Sequence, residues 1–230
     1  MTTLAVDIGG SSIKLLVLDE QGEPVSEAVA RPTPAPATPD ALFTLIHDMA
    51  DSLPPHHHVS VGFPGVVKEG VTLNAPNLGD ELWHRIPLSE QLAHRLGRPV
   101  RAINDVDLQG FGVVRGAGVE LVLTLGTGMG AALFTDGVLV PNLELGHHPF
   151  RDGQTYEDLV RDGELKRIGP VEWTARVVGA VEQLEPIFNY DTLHLGGGNV
   201  RHLHADLPGN VRVFSFAEAM HGALKLWEGA

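Results

Sequence analysis

An aspartate directly after an apolar strand is well placed to move a proton. Asn104-Asp105 follows the run Val100 to Ile103. In an open α/β sheet the C-terminal end of a strand faces the ligand crevice. An Asp there can act as general base, taking a proton from a substrate hydroxyl during phosphoryl transfer. Asp also caps helices well, and on position alone both roles stand. Glu144-Leu145-Gly146-His147 holds a carboxylate and an imidazole three residues apart. Both can face a polyhydroxylated ligand, since Glu accepts from hydroxyls and His donates or accepts. A solvated polar loop is the alternative. Asn77, in Asn74-Ala75-Pro76-Asn77-Leu78, is a ligand contact or an ordinary turn residue. Gly196-Gly197-Gly198 could admit a base or a phosphate, or simply turn the chain.

Two further stretches look alike. One is Asp7-Ile8-Gly9-Gly10-Ser11-Ser12-Ile13-Lys14, the other Thr124-Leu125-Gly126-Thr127-Gly128-Met129-Gly130. Each follows one apolar run and leads into another. Strand, glycine turn, strand, twice in one chain, points to two related half-folds. Exposed N–H groups of such turns can hold a phosphate. Glycine is expected there for positive φ and for close approach of the main chain. Taken singly, each is also compatible with an ordinary β-turn.

Strands are expected at 3–8, 13–19 and about 25–31, then a Pro-rich connection. A helix starts at Pro39 with Thr38 as its N-cap, and Leu42, Leu45, Ile46 and Met49 carry its apolar face. A strand at 59–63, a helix through Leu88, Leu92 and Leu96, and a strand at 100–103 complete the first half. The second half has a helix at 106–114 and strands at 119–125, 130–135 and 137–140. A charged helix-rich segment at 154–168 and a long helix at 170–186 follow. Strands at 191–195 and near 211–214 precede a closing helix, whose start Ser215 and Glu218 mark as a capping box. Strands mixed with helices in each half give an α/β class with a mixed sheet.

The chain has 230 residues, 43% hydrophobic, enough for one large domain or two small ones. No apolar run approaches the ~20 residues of a membrane span. No basic segment precedes an apolar one at the N-terminus, so no signal peptide is read and a cytoplasmic location is expected. A net charge of −13 argues against a nucleic-acid partner, and no membrane partner is expected. There are no cysteines, which excludes disulfides and thiolate metal sites. His56-His57-His58 reads as a solvated loop.

In order along the chain, these pieces resemble the ROK family of sugar kinases. DIGGSSIK (7–14) and LTLGTGMGAAL (123–133) are similar to its two phosphate motifs. FPGVVKEGVTLNAPNL (63–78) looks like its sugar-side loops, and NDVD (104–107) like its catalytic motif. ELGH (144–147) and YEDL (156–159) resemble sugar-binding sites, and LGGGNV (195–200) an adenosine-side glycine motif. Lys14, the FPGVVK stretch, the DGVLVPNLELGH run (136–147) and the missing zinc cysteines most resemble the polyphosphate-using glucokinases. Departures are a shortening between 148 and 170 and after 198, and Ala219 where a glycine is expected.

The resemblance implies an actin-like (ribonuclease H-like), duplicated two-lobed α/β fold. Its N-terminal lobe would cover 1–104, with a closing helix at 216–230 packing back on it. Its C-terminal lobe would cover 105–215. It implies phosphoryl transfer from polyphosphate or ATP to the 6-hydroxyl of glucose, with Asp105 as base. Asn77, Asn104, Glu144, His147, Glu157 and Gly65 would bind the sugar. Asp7, Gly9, Gly10, Ser11, Ser12, Lys14, Gly126, Thr127, Gly128, Gly197 and Gly198 would bind the phosphate donor. Mg²⁺ would lie near Asp7, through water, and a homodimer is possible. A sugar-binding ROK regulator is disfavoured: it carries an N-terminal DNA-binding domain, whereas the first phosphate motif here starts at residue 7. An actin-like ATPase or scaffold would lack the motifs at 104–107 and 144–147.

Overall fold

A computed structural model describes residues 1–228. The chain divides into two compact units, one of residues 1–112 with 219–230, the other of residues 113–218. Gly229 and Ala230, the end of the closing helix expected at 216–230, lie outside the described residues.

The first unit is built on β1 (Thr3–Ile8), β2 (Ser12–Leu18), β3 (Val29–Pro32), α1 (Pro39–Asp51) and β4 (His58–Phe63). A small hairpin, β5 (Val67–Lys68) and β6 (Val71–Thr72), comes next. Then follow α2 (Asp80–Trp83), α3 (Leu88–Leu96), β7 (Val100–Asn104) and α4 (Asp105–Val113). Its sheet has the order β3-β2-β1-β4-β7. The β1–β2 and β2–β3 pairs are antiparallel; β1–β4 and β4–β7 are parallel. β1 is buried along its whole length, as a central strand covered on both faces must be. The expected third strand at 25–31 is shorter, because the chain between Asp19 and Val29 turns. Asp19 accepts the N–H groups of Gln21 and Glu23, leaving an isolated bridge between Leu18 and Pro24.

The second unit holds β8 (Val119–Leu125), β9 (Met129–Thr135), β10 (Val138–Val140), β11 (Pro149–Arg151) and β12 (Gln154–Thr155). Three helices follow, α5 (Tyr156–Val160), α6 (Asp162–Ile168) and α7 (Pro170–Phe188), then β13 (Thr192–Gly196) and β14 (Val211–Val213). Its sheet order is β10-β9-β8-β13-β14. Here too the first three strands pair antiparallel and the last two parallel. Strand for strand, this repeats the first sheet. The duplication read from the two glycine turns is therefore a duplication of the whole sheet. The charged helical segment expected at 154–168 begins on β12, the second strand of the short β11–β12 hairpin, and continues as α5 and α6.

The chain closes with α8 (Phe216–Met220) and α9 (Gly222–Lys225) instead of one continuous helix. Ser215 and Glu218 form the expected capping box: the Glu218 N–H donates to Ser215 Oγ at 3.3 Å, and the Ser215 N–H to Glu218 Oε2 at 2.7 Å. α9 packs on β1 and β4. Ser60 Oγ donates to the Ala223 carbonyl and accepts from Trp227 Nε1.

Each unit has its own core. Trp83 anchors the first, fully buried, its indole N–H donated to the Ala37 carbonyl at 2.9 Å. Trp173 anchors the second, also fully buried, its N–H donated to the Val160 carbonyl at 2.7 Å. A buried indole stabilises a core fully only when its N–H finds such a partner. Thr38 caps α1 as expected, accepting the Ala41 N–H. Among the described residues no helix is long and apolar enough to cross a membrane.

Candidate active site

In the first unit, Asp7 and Lys14 face each other across the β1–β2 pair. Lys14 Nζ lies 3.5 Å from Asp7 Oδ2, and the Asp7 side chain is only 9% exposed. Burial pushes the Asp7 carboxyl above the usual aspartate value. Lys14 and a 3.3 Å bond from Gln109 Nε2 work against that rise. The turn between the strands closes with the Gly9 N–H donated to the Ser12 carbonyl at 2.9 Å. Ser11 is exposed, while Gly9, Gly10 and Ser12 are half-buried. Thr33, just past β3, grips this turn twice. Its hydroxyl donates to the Gly9 carbonyl at 2.7 Å, and its N–H to the Ser11 carbonyl at 3.1 Å.

Asn104 and Asp105 lie at the junction of β7 and α4. Asn104 Oδ1 accepts the N–H groups of Val106 and Asp107, at 2.9 and 3.1 Å. The helix cap is therefore Asn104, which is buried. Asp105 Oδ1 shares the adjacent Val106 N–H at 2.9 Å. Gln109 follows Asp105 by four residues, so both project from one face of α4. That face joins the Asp105 carboxylate to the Asp7 carboxylate through one helical turn and one amide.

Asn104 Nδ2 donates to the Gly65 carbonyl at 3.2 Å. One residue on, the Val66 N–H donates to Asn74 Oδ1 at 2.7 Å. The loop after β4 is thus strung between Asn74 and Asn104. Asn77 is exposed in the turn at 76–78, and Asn74 is the asparagine of that segment that orders the loop. Lys68 is exposed on β5.

In the second unit the glycine turn at 126–128 is a hub. The Gly126 N–H donates to the Gly128 carbonyl at 3.0 Å. The Gly126 carbonyl accepts the Asp162 N–H at 2.9 Å and Asn199 Nδ2 at 3.2 Å. The Met129 N–H donates to Glu157 Oε2 at 2.9 Å. Gly146 packs so tightly on the same residue that a Cβ there would overlap the Met129 carbonyl oxygen. This brings the turn, the 144–147 segment and Glu157 together. Glu144 and His147 sit at the two ends of a 3₁₀ turn, with His147 Nε2 3.5 Å from Glu144 Oε2. α5 is aimed by its own capping box between Thr155 and Asp158.

Of the expected donor glycines, Gly197 has the left-handed backbone that favours glycine, at φ 89°. A Cβ on Gly197 would overlap the Leu125 carbonyl. That contact carries β13 tightly past the end of β8. Gly198 is exposed, with open space where its Cβ would be. Thr127 is exposed at the tip of the turn.

A buried pair lies deeper in this unit. His194 Nε2 is 2.8 Å from Glu120 Oε2, both almost without exposure. Glu120 also accepts the N–H groups of Arg115, Gly116 and Ala117. Burial acts to raise its carboxyl, but those three N–H groups and His194 outweigh it. The net result lies below the usual glutamate value.

Among the described residues no three His, Asp or Glu side chains gather as a metal-binding group. One buried carboxylate beside a phosphate-type turn still suits Mg²⁺. That ion keeps several waters and takes one or two carboxylates together with substrate phosphates. Asp7 fits that requirement and would meet the ion through water.

Thr33, Gln109, Asn74 and Asn199 were not singled out from the sequence. Gln109 could have been found from its helical spacing to Asp105. Asn74 and Asn199 lie inside stretches already marked. Nothing in the Pro-rich sequence around Thr33 signals its contacts.

The model described as "ROK family" matches residues 3–155. The polyphosphate glucokinase of Mycobacterium tuberculosis is 30% identical over 202 residues, 84% of this chain and 76% of that protein. Among solved structures, the inorganic polyphosphate/ATP-glucomannokinase of Arthrobacter sp. strain KM superposes with a TM-score of 0.88 at 30% identity, covering 98% of this chain and 97% of the other. The ROK family glucokinase of Streptomyces griseus, solved with glucose and AMPPNP, superposes with a TM-score of 0.80 at 20% identity, covering 98% and 99%. The fold is the duplicated α/β architecture of the actin-like class.

Proposed function

The chain belongs to the ROK family, and from that membership we propose that it transfers a phosphoryl group from inorganic polyphosphate or ATP to the 6-hydroxyl of glucose. The observation that carries the reading is at the end of β7. Asn104 takes the Val106 and Asp107 N–H groups as the cap of α4, and Asp105 stands beside it at the C-terminal end of β7, where a strand of an α/β sheet meets its ligand. As the sugar hydroxyl attacks the terminal phosphorus, Asp105 takes its proton. The bond from that phosphorus to the bridging oxygen breaks, and ADP or a polyphosphate shorter by one unit leaves.

The turns at 9–12 and 126–128 would receive donor phosphates on their N–H groups, with Lys14 adding charge. Glu144, His147 and Glu157 would bind sugar hydroxyls, as would Asn77 and the second amide hydrogen of Asn104. Bound Mg²⁺ would neutralise donor charge. Similarity to the M. tuberculosis enzyme supports polyphosphate as a donor. A donor without a base needs no adenosine pocket, which accords with the shortened segment after Gly198.

The test is a coupled assay of glucose, mannose and N-acetylmannosamine against ATP and polyphosphate with added Mg²⁺. Glucose 6-phosphate formed from polyphosphate is the expected product. Turnover with ATP alone would reject polyphosphate as a donor, and no turnover of any sugar would reject the reading.

A further inference from the structure

Thr33 lies outside every motif, yet it makes two bonds to the first glycine turn. Its hydroxyl takes the Gly9 carbonyl at 2.7 Å and its N–H takes the Ser11 carbonyl at 3.1 Å. Both peptide units, Gly9–Gly10 and Ser11–Ser12, are trans. In a trans peptide the C=O and the following N–H lie in one plane and point in opposite directions within it. A carbonyl turned toward Thr33 therefore turns the next N–H away from it. The Gly10 and Ser12 N–H groups are aimed in this way. Gly10 has no side chain to hold its peptide in one orientation, and glycine peptides rotate freely. An external bond to the Gly9 carbonyl supplies what the residue itself lacks.

We infer that Thr33 is a positioning residue for the phosphate donor: by holding the Gly9 and Ser11 carbonyls, it fixes the direction in which the turn presents the Gly10 and Ser12 N–H groups to a phosphate. The inference rests on the proposed kinase reading for its ligand, but its geometry does not depend on which sugar is used. Preorganised N–H donors bind an anion without the cost of reorienting peptide dipoles on binding. A turn released from Thr33 would have to bear that cost each time. The loss would fall on the donor and leave the sugar untouched.

The test compares wild type, Thr33→Val and Thr33→Ser. Valine keeps the shape and the N–H bond but removes the hydroxyl bond; serine keeps both. Binding of inorganic tripolyphosphate is measured by calorimetry without any sugar, and KM values for donor and glucose are measured separately. Thr33→Val is expected to weaken tripolyphosphate binding and raise the donor KM by about fivefold or more, a typical consequence of losing one hydrogen bond. The glucose KM should hold within about twofold, the thermal midpoint should fall by no more than a few degrees, and Thr33→Ser should restore the donor value. Unchanged tripolyphosphate binding in Thr33→Val overturns the inference. So does a parallel rise in donor and glucose KM, or failure of serine to restore binding. If the wild type binds tripolyphosphate but phosphorylates no sugar, the kinase reading falls, and the calorimetric comparison still decides the role of Thr33. If the wild type binds none, the inference is overturned.

Discussion

The backbone N–H of Met129 donates to Oε2 of Glu157 at 2.9 Å. A carboxylate expected to bind sugar is therefore also a fastening of the second glycine turn. Glu157→Ala leaves that N–H without its acceptor, a loss of about 1–3 kcal/mol where the group stays shielded from water. The thermal midpoint should fall by several degrees, and the KM values for sugar and donor should both rise. Glu157→Gln, which keeps an acceptor oxygen, should recover most of the stability. A Glu157→Ala protein with wild-type midpoint and donor KM would contradict this double role.

Asp105 and Asn104 should separate chemistry from stability. Asp105→Asn cannot take the proton, and kcat should fall by ~10²–10⁴ with little change in the unfolding midpoint. Asn104→Ala removes the cap of α4 and should cost about 0.5–2 kcal/mol in stability. Urea unfolding and steady-state kinetics on both variants check the pair. More than a tenth of wild-type kcat in Asp105→Asn would return Asp105 to a structural role.

Asp7 carries a stability cost. Its folded-state value is raised above the ordinary 3.8, chiefly by burial. A raised value favours the fold only when the group is protonated. That contribution is complete below pH 3.8 and is lost as the pH rises through the folded value. At pH 7, above the ordinary aspartate range, the raised carboxyl burdens the fold. Asp7→Asn should therefore unfold at higher urea than wild type at neutral pH while losing kinase activity. A lower midpoint would mean that the Lys14 pair outweighs the burial cost.

Glu120 works in the opposite sense. Its folded-state value is depressed below the ordinary 4.5, so its contribution is present above that pH and disappears as the pH falls through the folded value. Glu120→Gln should be less stable than wild type at pH 7. The gap in urea midpoint should close progressively below pH 4.5. A gap that does not vary with pH would rule out ionisation as its source.

The donor prediction turns on charge. A chain of net charge −13 repels a polyanion at long range, so local cations must offset that repulsion. Lys14→Ala should lower kcat/KM for polyphosphate by at least about tenfold, equivalent to about 1.4 kcal/mol. The wild-type polyphosphate KM should climb with salt as screening grows. Initial rates from 0.05 to 0.5 M salt (roughly 14 to 4 Å of Debye length) test it. A salt-independent KM would remove the electrostatic account.

Most of the element order, the duplication and the stretches that hold the candidate site are legible along the chain. Those signals are local: alternating apolar strands, helical spacing at Leu42 to Met49, the Thr38 cap, the Ser215–Glu218 box, and glycine turns between strands. Local chemistry also left Asp105 undecided between base and cap, because Asn and Asp are both good caps and stand side by side. The structure gives the cap to Asn104, through bonds to Val106 and Asp107. It also decided that Asn74 orders the loop after β4, that Glu157 fastens the turn at Met129, and that Thr33 holds the turn at Gly9. These contacts join residues 8, 28 and 24 positions apart. A hydrogen bond of that span depends on where separate elements come to lie once their apolar faces are buried, and no periodicity or propensity along the chain encodes it.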